Sequence, residues 1–128
     1  MVTVDPREYV ASLLRSKAPS ALAMVQLLCP SAVFNKAVDM AEKDSGISRA
    51  TIAGTTCFLV KGGGRYIVIP KAFCSCHYYT QQVIRNRVAW TCKHDLAVQL
   101  RISVLGIDSV PVAADGSAEV QKYFSRSH

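Results

Sequence analysis

No stretch of about 18 apolar residues runs uninterrupted through the 128-residue sequence, so no membrane-spanning helix is expected. No basic n-region followed by an apolar core opens at Met1, and the five cysteines are an odd number, which argues against a secreted disulfide framework. A reducing compartment, cytosol or nucleus, is expected instead. Internal repeats, low-complexity runs and an evident linker are all absent, which points to one compact domain with enough apolar residues, half of the chain, to build a core. No recognition-helix motif appears, so base-specific readout of DNA is not expected. The glycine run Gly62-Gly63-Gly64 lacks the G-K-[ST] ending of a phosphate loop and precedes an apolar strand rather than a helix.

Acidic residues are scarce where the chain is most basic. Residues 49–101 carry eight basic side chains (Arg49, Lys61, Arg65, Lys71, Arg85, Arg87, Lys93, Arg101) and a single acid, Asp95, so the formal net charge of +6 is concentrated there. Such a face suits phosphate, with Lys71, Arg85, Arg87, Lys93 and Arg101 as candidate contacts to single-stranded nucleic acid. It equally suits an acidic protein partner. Tyr78, Tyr79 and Trp90 lie among these cations and are candidates for base stacking or for ordinary packing.

The pattern C-S-C, fifteen residues, C-K-H places Cys74, Cys76, Cys92 and His94 within one short stretch. Three thiolates and an imidazole make a complete tetrahedral ligand set for zinc, and four protein ligands leave no open position for catalysis. Residues two apart diverge on a strand and on a helix, so both pairs require turns. Cys92 and His94 are therefore expected in a turn at the head of a helix, where the dipole favours thiolate. A disulfide between Cys74 and Cys76 would close a tightly strained loop. His77 is expected outside the ligand set. Cys29 and Cys57, in apolar surroundings, are expected to pack as small hydrophobes. Asp95, the acid next to His94, is expected at the surface or in a capping role.

The pattern C-x-C, gap, C-x-H resembles the SWIM-type zinc finger. With Ala97 three residues after His94 it extends to C-x-C…C-x-H-x-x-A, the form of the small SWIM-domain subunits of the Shu complex. The resemblance covers residues 27 to 104. It implies a structural zinc ion on Cys74, Cys76, Cys92 and His94. It also implies a nuclear, non-enzymatic adaptor that pairs with a RecA-like recombinase paralogue in a heterodimer or larger complex and supports recombinase filaments in homologous-recombination DNA repair. Ala97, with its helix neighbours Leu96 and Leu100, is the implied partner contact. The alternative is a SWIM module that binds DNA directly, as in transposase- or helicase-associated proteins.

The implied fold class is α+β: N-terminal helices in residues 1–46, strands with the zinc site and a closing helix in 47–106, and a tail in 107–128. Asp5-Pro6 reads as the start of a helix with Tyr9, Val10, Leu13 and Leu14 as its stripe. Ser20 to Leu28 is a second helix, apolar nearly all round. A third begins at Pro30-Ser31 and ends at Gly46. Ile47–Ala53, Thr56–Lys61 and Tyr66–Ile69 read as β-strands, and the last two form a hairpin. Tyr78–Arg85 reads as a short helix. His94–Val104 is the closing helix, with Leu96, Ala97, Leu100 and Val104 inward and Gly106 as its stop.

Overall fold

The computed structural model describes residues 6–16, 20–43, 46–52, 54–61, 64–113 and 120. Three helices, α1 (Pro6–Ser16), α2 (Ala21–Leu28) and α3 (Ser31–Glu42), precede a sheet of β1 (Ile47–Ile52), β2 (Thr55–Lys61), β3 (Arg65–Ile69) and β4 (Phe73–Cys74). A π-helical segment, Tyr79–Arg85, leads to helix α4 (Lys93–Leu105), which a 3-10 turn, Ile107–Ser109, follows. The fold class is α+β, with a fully antiparallel sheet in the order β1-β2-β3-β4. None of the described helices is long and apolar enough to cross a membrane.

The helix starts follow their local chemistry. Proline at the first position of α1 costs no hydrogen bond, and Pro30 before α3 presets the turn between α2 and α3. α3 ends at Glu42, four residues before Gly46, so that glycine is not its stop. Asp5 and Ala53 lie outside the described residues, as do Gly62 and Gly63 of the expected hairpin loop. α4 ends at Gly106, whose φ of 85° and ψ of 157° are open to glycine alone, with its N–H donating to the Ile102 carbonyl at 2.9 Å.

Alternation along the strands divides two apolar clusters. On one face, Ile47, Phe58, Val60, Val68 and Cys74 join Val10, Leu14, Val25, Phe34, Ala37 and the inner residues of α4 in the main core. On the other, Cys57, Leu59 and Ile67 pack with Val120. β2 is buried on both faces from Cys57 to Val60, which explains its unbroken apolar run. Cys29 packs half-buried against the main core and Cys57 is buried in the second cluster, both as apolar surroundings predict. Beyond the 3-10 turn the chain returns beside β1: Arg49 N donates to Pro111 O and Ala113 N to Arg49 O, both at 2.9 Å, and Arg49 and Val112 form a parallel bridge.

α4 is the central helix, buried from His94 to Arg101. This departs from an amphipathic expectation. Leu96, Ala97 and Leu100 face the core as expected, but so do His94, Asp95, Gln99 and Arg101, while Val104 is exposed. Arg101 is accommodated by carbonyls. Its Nη1 donates to Ala41 O at 2.9 Å and Lys43 O at 3.2 Å, and its Nε donates to Ser109 Oγ at 3.2 Å. A cation at the C-terminal end of α3 is favoured by that helix's dipole. Ser103 Oγ donates to Leu14 O at 2.9 Å and ties α4 to the last turn of α1.

Candidate metal centre

The two ligand pairs arrive on the main-core side of the sheet. Cys74 lies in β4 opposite Val68 of β3, and period-2 alternation turns its side chain toward α4. Ser75 then clamps the chain to β3 twice: its N–H donates to Ile67 O at 3.0 Å, and its hydroxyl accepts Ile67 N–H at 2.9 Å. The strand ends there, which lets Cys76 turn back toward Cys74. In the turn before β4, Lys71 adopts a φ of 66° and Ala72 N–H donates to Ile69 O at 2.9 Å.

Cys92 is the N-cap of α4, in extended geometry at φ −123°, ψ 172°. His94 is the second residue of the helix, so the pair straddles the helix start rather than preceding it. The divergence of i and i+2 holds inside a helix. A non-helical cap residue escapes it and swings its sulfur onto the face His94 occupies.

The result brings all four predicted residues together. Cys74, Cys76, Cys92 and His94 are buried, and their ligand atoms lie within 4.8 Å of one another. His94 Nδ1 is 3.8 Å from Cys74 Sγ and 4.0 Å from Cys92 Sγ. Bond lengths of about 2.3 Å to sulfur and about 2.0–2.1 Å to nitrogen would give a tetrahedral N···S edge of about 3.6 Å, so the spacing fits one ion with little movement. All five cysteines are free thiols, so no disulfide competes for these sulfurs.

Backbone donors are already aimed at two sulfurs. Tyr79 N–H donates to Cys76 Sγ at 3.4 Å and Asp95 N–H to Cys92 Sγ at 3.5 Å. Both bonds favour thiolate over thiol. Hydrogen bonding from Cys74, then from Cys92, holds Cys76 far below the ordinary thiol range. Its hydrogen bond to Cys76 pushes Cys74 up to about 12, and bonding to Cys74 and Cys76 pushes Cys92 up as well.

The surroundings fix the imidazole. Tyr66 of β3 stacks on His94 with ring centroids 4.1 Å apart and planes inclined by 28°. Nδ1 is the ring nitrogen turned to the sulfurs, and Nε2 is buried with no hydrogen-bond partner among the described residues. A cavity of about 340 Å³ opens beside Cys76, Cys92 and His94, with Lys36, His77 and Lys93 in its lining. These groups face a centre that would carry about one net negative charge with three thiolates and a divalent ion. His77 is exposed and lies outside the four-residue cluster.

The other sequence-predicted residues separate. Leu96, Ala97 and Leu100 are buried in the chain's own core, where they offer a partner no surface; alanine after the histidine serves close packing of α4. Arg101 is also buried and holds α3, so it is not part of a basic face. Lys71 Nζ pairs with Glu8 at 3.3 Å. Lys93 is half-buried at the cluster, while Arg85 and Arg87 are exposed. Of the aromatic candidates, Tyr79 is buried, and Trp90 Nε1 donates to Leu28 O at 3.0 Å; only Tyr78 stands well out.

Sequence reasoning misplaced Asp95. It is wholly buried, and its carboxylate accepts from Lys71 N and Gln99 Nε2 on Oδ1, each at 3.2 Å, and from Thr91 Oγ1 on Oδ2 at 3.1 Å. It links the turn before Cys74 to the residue before Cys92. Its position as the lone acid in the basic stretch was the available signal, since an isolated acid among cations and apolar residues has reason to be internal. The described geometry can hold one metal ion at Cys74, Cys76, Cys92 and His94. Comparison of the chain with protein-family models, with curated proteins and with solved structures finds no match.

Proposed function

We propose that the cluster holds one structural zinc ion and that the protein is a non-enzymatic adaptor of the SWIM zinc-finger kind. The observation that carries this reading is the convergence of four buried Cys and His ligand atoms within 4.8 Å, in the order C-x-C…C-x-H-x-x-A. A thiolate-rich donor set favours zinc over hard cations such as magnesium or calcium, and four protein ligands suit a structural role. When bound, the ion would cross-link the end of β4 to the start of α4.

On this reading the chain pairs with a RecA-like recombinase paralogue in the nucleus and supports recombinase filaments during homologous recombination. The sequence resemblance carries that part, and the zinc-stapled fold is consistent with it. Direct DNA binding by the module is the alternative. It is weakened by the burial of Tyr79 and Arg101, which removes one stacking aromatic and one cation from the candidate surface.

Affinity capture of wild type and Cys76→Ser from native extract, with partners identified by mass spectrometry, tests the reading. The expected outcome is a RecA-like ATPase held by wild type and lost by the variant, with about one zinc per wild-type chain by elemental analysis. Retention of DNA without such an ATPase would move the assignment to direct nucleic-acid binding.

A further inference from the structure

We infer that the C-terminal end of α2 and the loop after the π-helical segment form one docking surface for an acidic, amphipathic segment of a partner protein. The inference rests on the adaptor reading above and gives it a surface other than α4. The bond from Trp90 Nε1 to the Leu28 carbonyl at 3.0 Å joins the two segments. On the α2 side Leu27 is 82% exposed and Leu28 39%; on the loop side Val88 is 75% exposed and Ile84 52%. Aliphatic side chains this open are costly in water when they cluster, and they mark contact sites.

The loop is built to display them. Val88 N–H and Ala89 N–H both donate to Gln82 O, at 2.9 and 3.1 Å, and Arg87 between the segment and these donors is held at a φ of 55°. A left-handed residue with a Cβ is uncommon and is retained where the surrounding hydrogen bonds impose it. The backbone at the tip is therefore fixed, and Val88 is carried outward on it.

Charge selects the occupant. Arg85 and Arg87 flank these aliphatics, are exposed, and take part in no ion pair among the described residues. The one acid of residues 49–101, Asp95, is wholly buried, so every exposed charge of that stretch is positive. An acidic partner complements it. Single-stranded nucleic acid would supply the charge, and half-buried Trp90 lies at the junction, but bases stacked there would leave the open aliphatic side chains of Leu27, Ile84 and Val88 without an apolar partner. A helix with carboxylates beside aliphatic anchors satisfies both halves of the surface.

The test uses the purified full-length chain and a displayed library of random peptides about 16 residues long, enough for roughly four helical turns. The expected result is enrichment of sequences with Asp or Glu beside Leu, Ile or Met at helical spacing. Their binding should fall at least about tenfold with Val88→Asp and with Arg85→Glu/Arg87→Glu, as loss of an anchor predicts. Circular dichroism and metal content of both variants should match wild type, since all three positions are exposed. Peptides without the acidic and aliphatic pattern, no enrichment, or binding indifferent to both variants would overturn the inference. So would an oligo-dT strand that binds tightly through the arginines and is unaffected by Val88→Asp, because the surface would then belong to nucleic acid. The selection needs no ATPase, so its outcome is separate from that of the capture experiment.

Discussion

The carboxylate of Asp95 accepts the backbone N–H of Lys71 at 3.2 Å, across 24 positions of sequence. Through Thr91 Oγ1 the same side chain also holds the residue before Cys92. Asp95→Asn replaces an acceptor that serves at least three donors with a group that must turn its own N–H₂ toward one of them. Hydrogen bonds to a buried charge contribute about 1.5–3 kcal/mol each, so the variant should lose at least about 2 kcal/mol of stability. Supporting bonds around metal ligands are worth about 10–100-fold in affinity, and zinc transfer to a competing chelator should accelerate accordingly. A melting curve and a chelator titration that both match wild type would show that this carboxylate positions nothing.

Cys92→Ser removes one of the four proposed ligands and the sulfur that caps α4. Structural zinc contributes about 10–16 kcal/mol in small finger domains near neutral pH, which is comparable to the whole net stability of a domain, about 5–15 kcal/mol. The variant should bind no zinc and lose the cooperative melting of α4 and β4. The same loss should follow when wild type is stripped with a strong chelator. Unchanged metal content and melting temperature in the variant would remove Cys92 from the ligand set.

Arg101 tests burial of a cation held by backbone carbonyls and a serine hydroxyl. Arg101→Lys keeps the charge but cannot reach Ala41 O, Lys43 O and Ser109 in one fork. The expected cost is about 2 kcal/mol or more, because at least one buried carbonyl loses its donor. Denaturant unfolding measures it. Oligonucleotide affinity should not change in the folded variant, since Arg101 is not at the surface; a selective loss of nucleic-acid binding at unchanged stability would contradict its place in the core.

Alkaline pH should weaken the fold through thiols outside the cluster. Burial pushes Cys29 up to about 11 from 9.0, and Cys57 up as well. A raised folded value means that the unfolded chain ionises first. The stabilisation is complete below pH about 9 and is lost as pH rises toward 11. Unfolding midpoints of wild type should therefore drop between pH 9 and pH 11 by more than those of Cys29→Ala, and iodoacetamide should modify Cys29 slowly at neutral pH. An identical pH dependence in the two proteins would refute the linkage.

The ligand set was legible because it depends on residue type and local spacing, and the chain meets those demands within 21 positions. β1, β2 and β3 were legible as β-branched runs, whereas β4, two residues long, left no such run to read. The interior of α4 was not. Periodicity treats Asp95, Gln99 and Arg101 as outward-facing, whereas all three are buried, Asp95 and Arg101 on partners distant in sequence and Gln99 on Asp95 one turn back, and Val104 took an inward place in their stead. Ala97 reads equally as a contact residue or as close packing, and only the surrounding helices decide. The π-helical form of Tyr79–Arg85 has no compositional signature.

The return of the chain alongside β1 has a consequence for solubility. An open strand edge is a template on which other molecules can add and grow into fibrils. Here Arg49 is already bonded to Pro111 and Ala113, and the opposite edge, β4, is only two residues long. Among the described residues, β1 is thus covered at its centre and β4 is too short to offer a long ladder. The edges open to strand addition are thereby shortened, which favours contact through the exposed leucines and valines over growth through the strands.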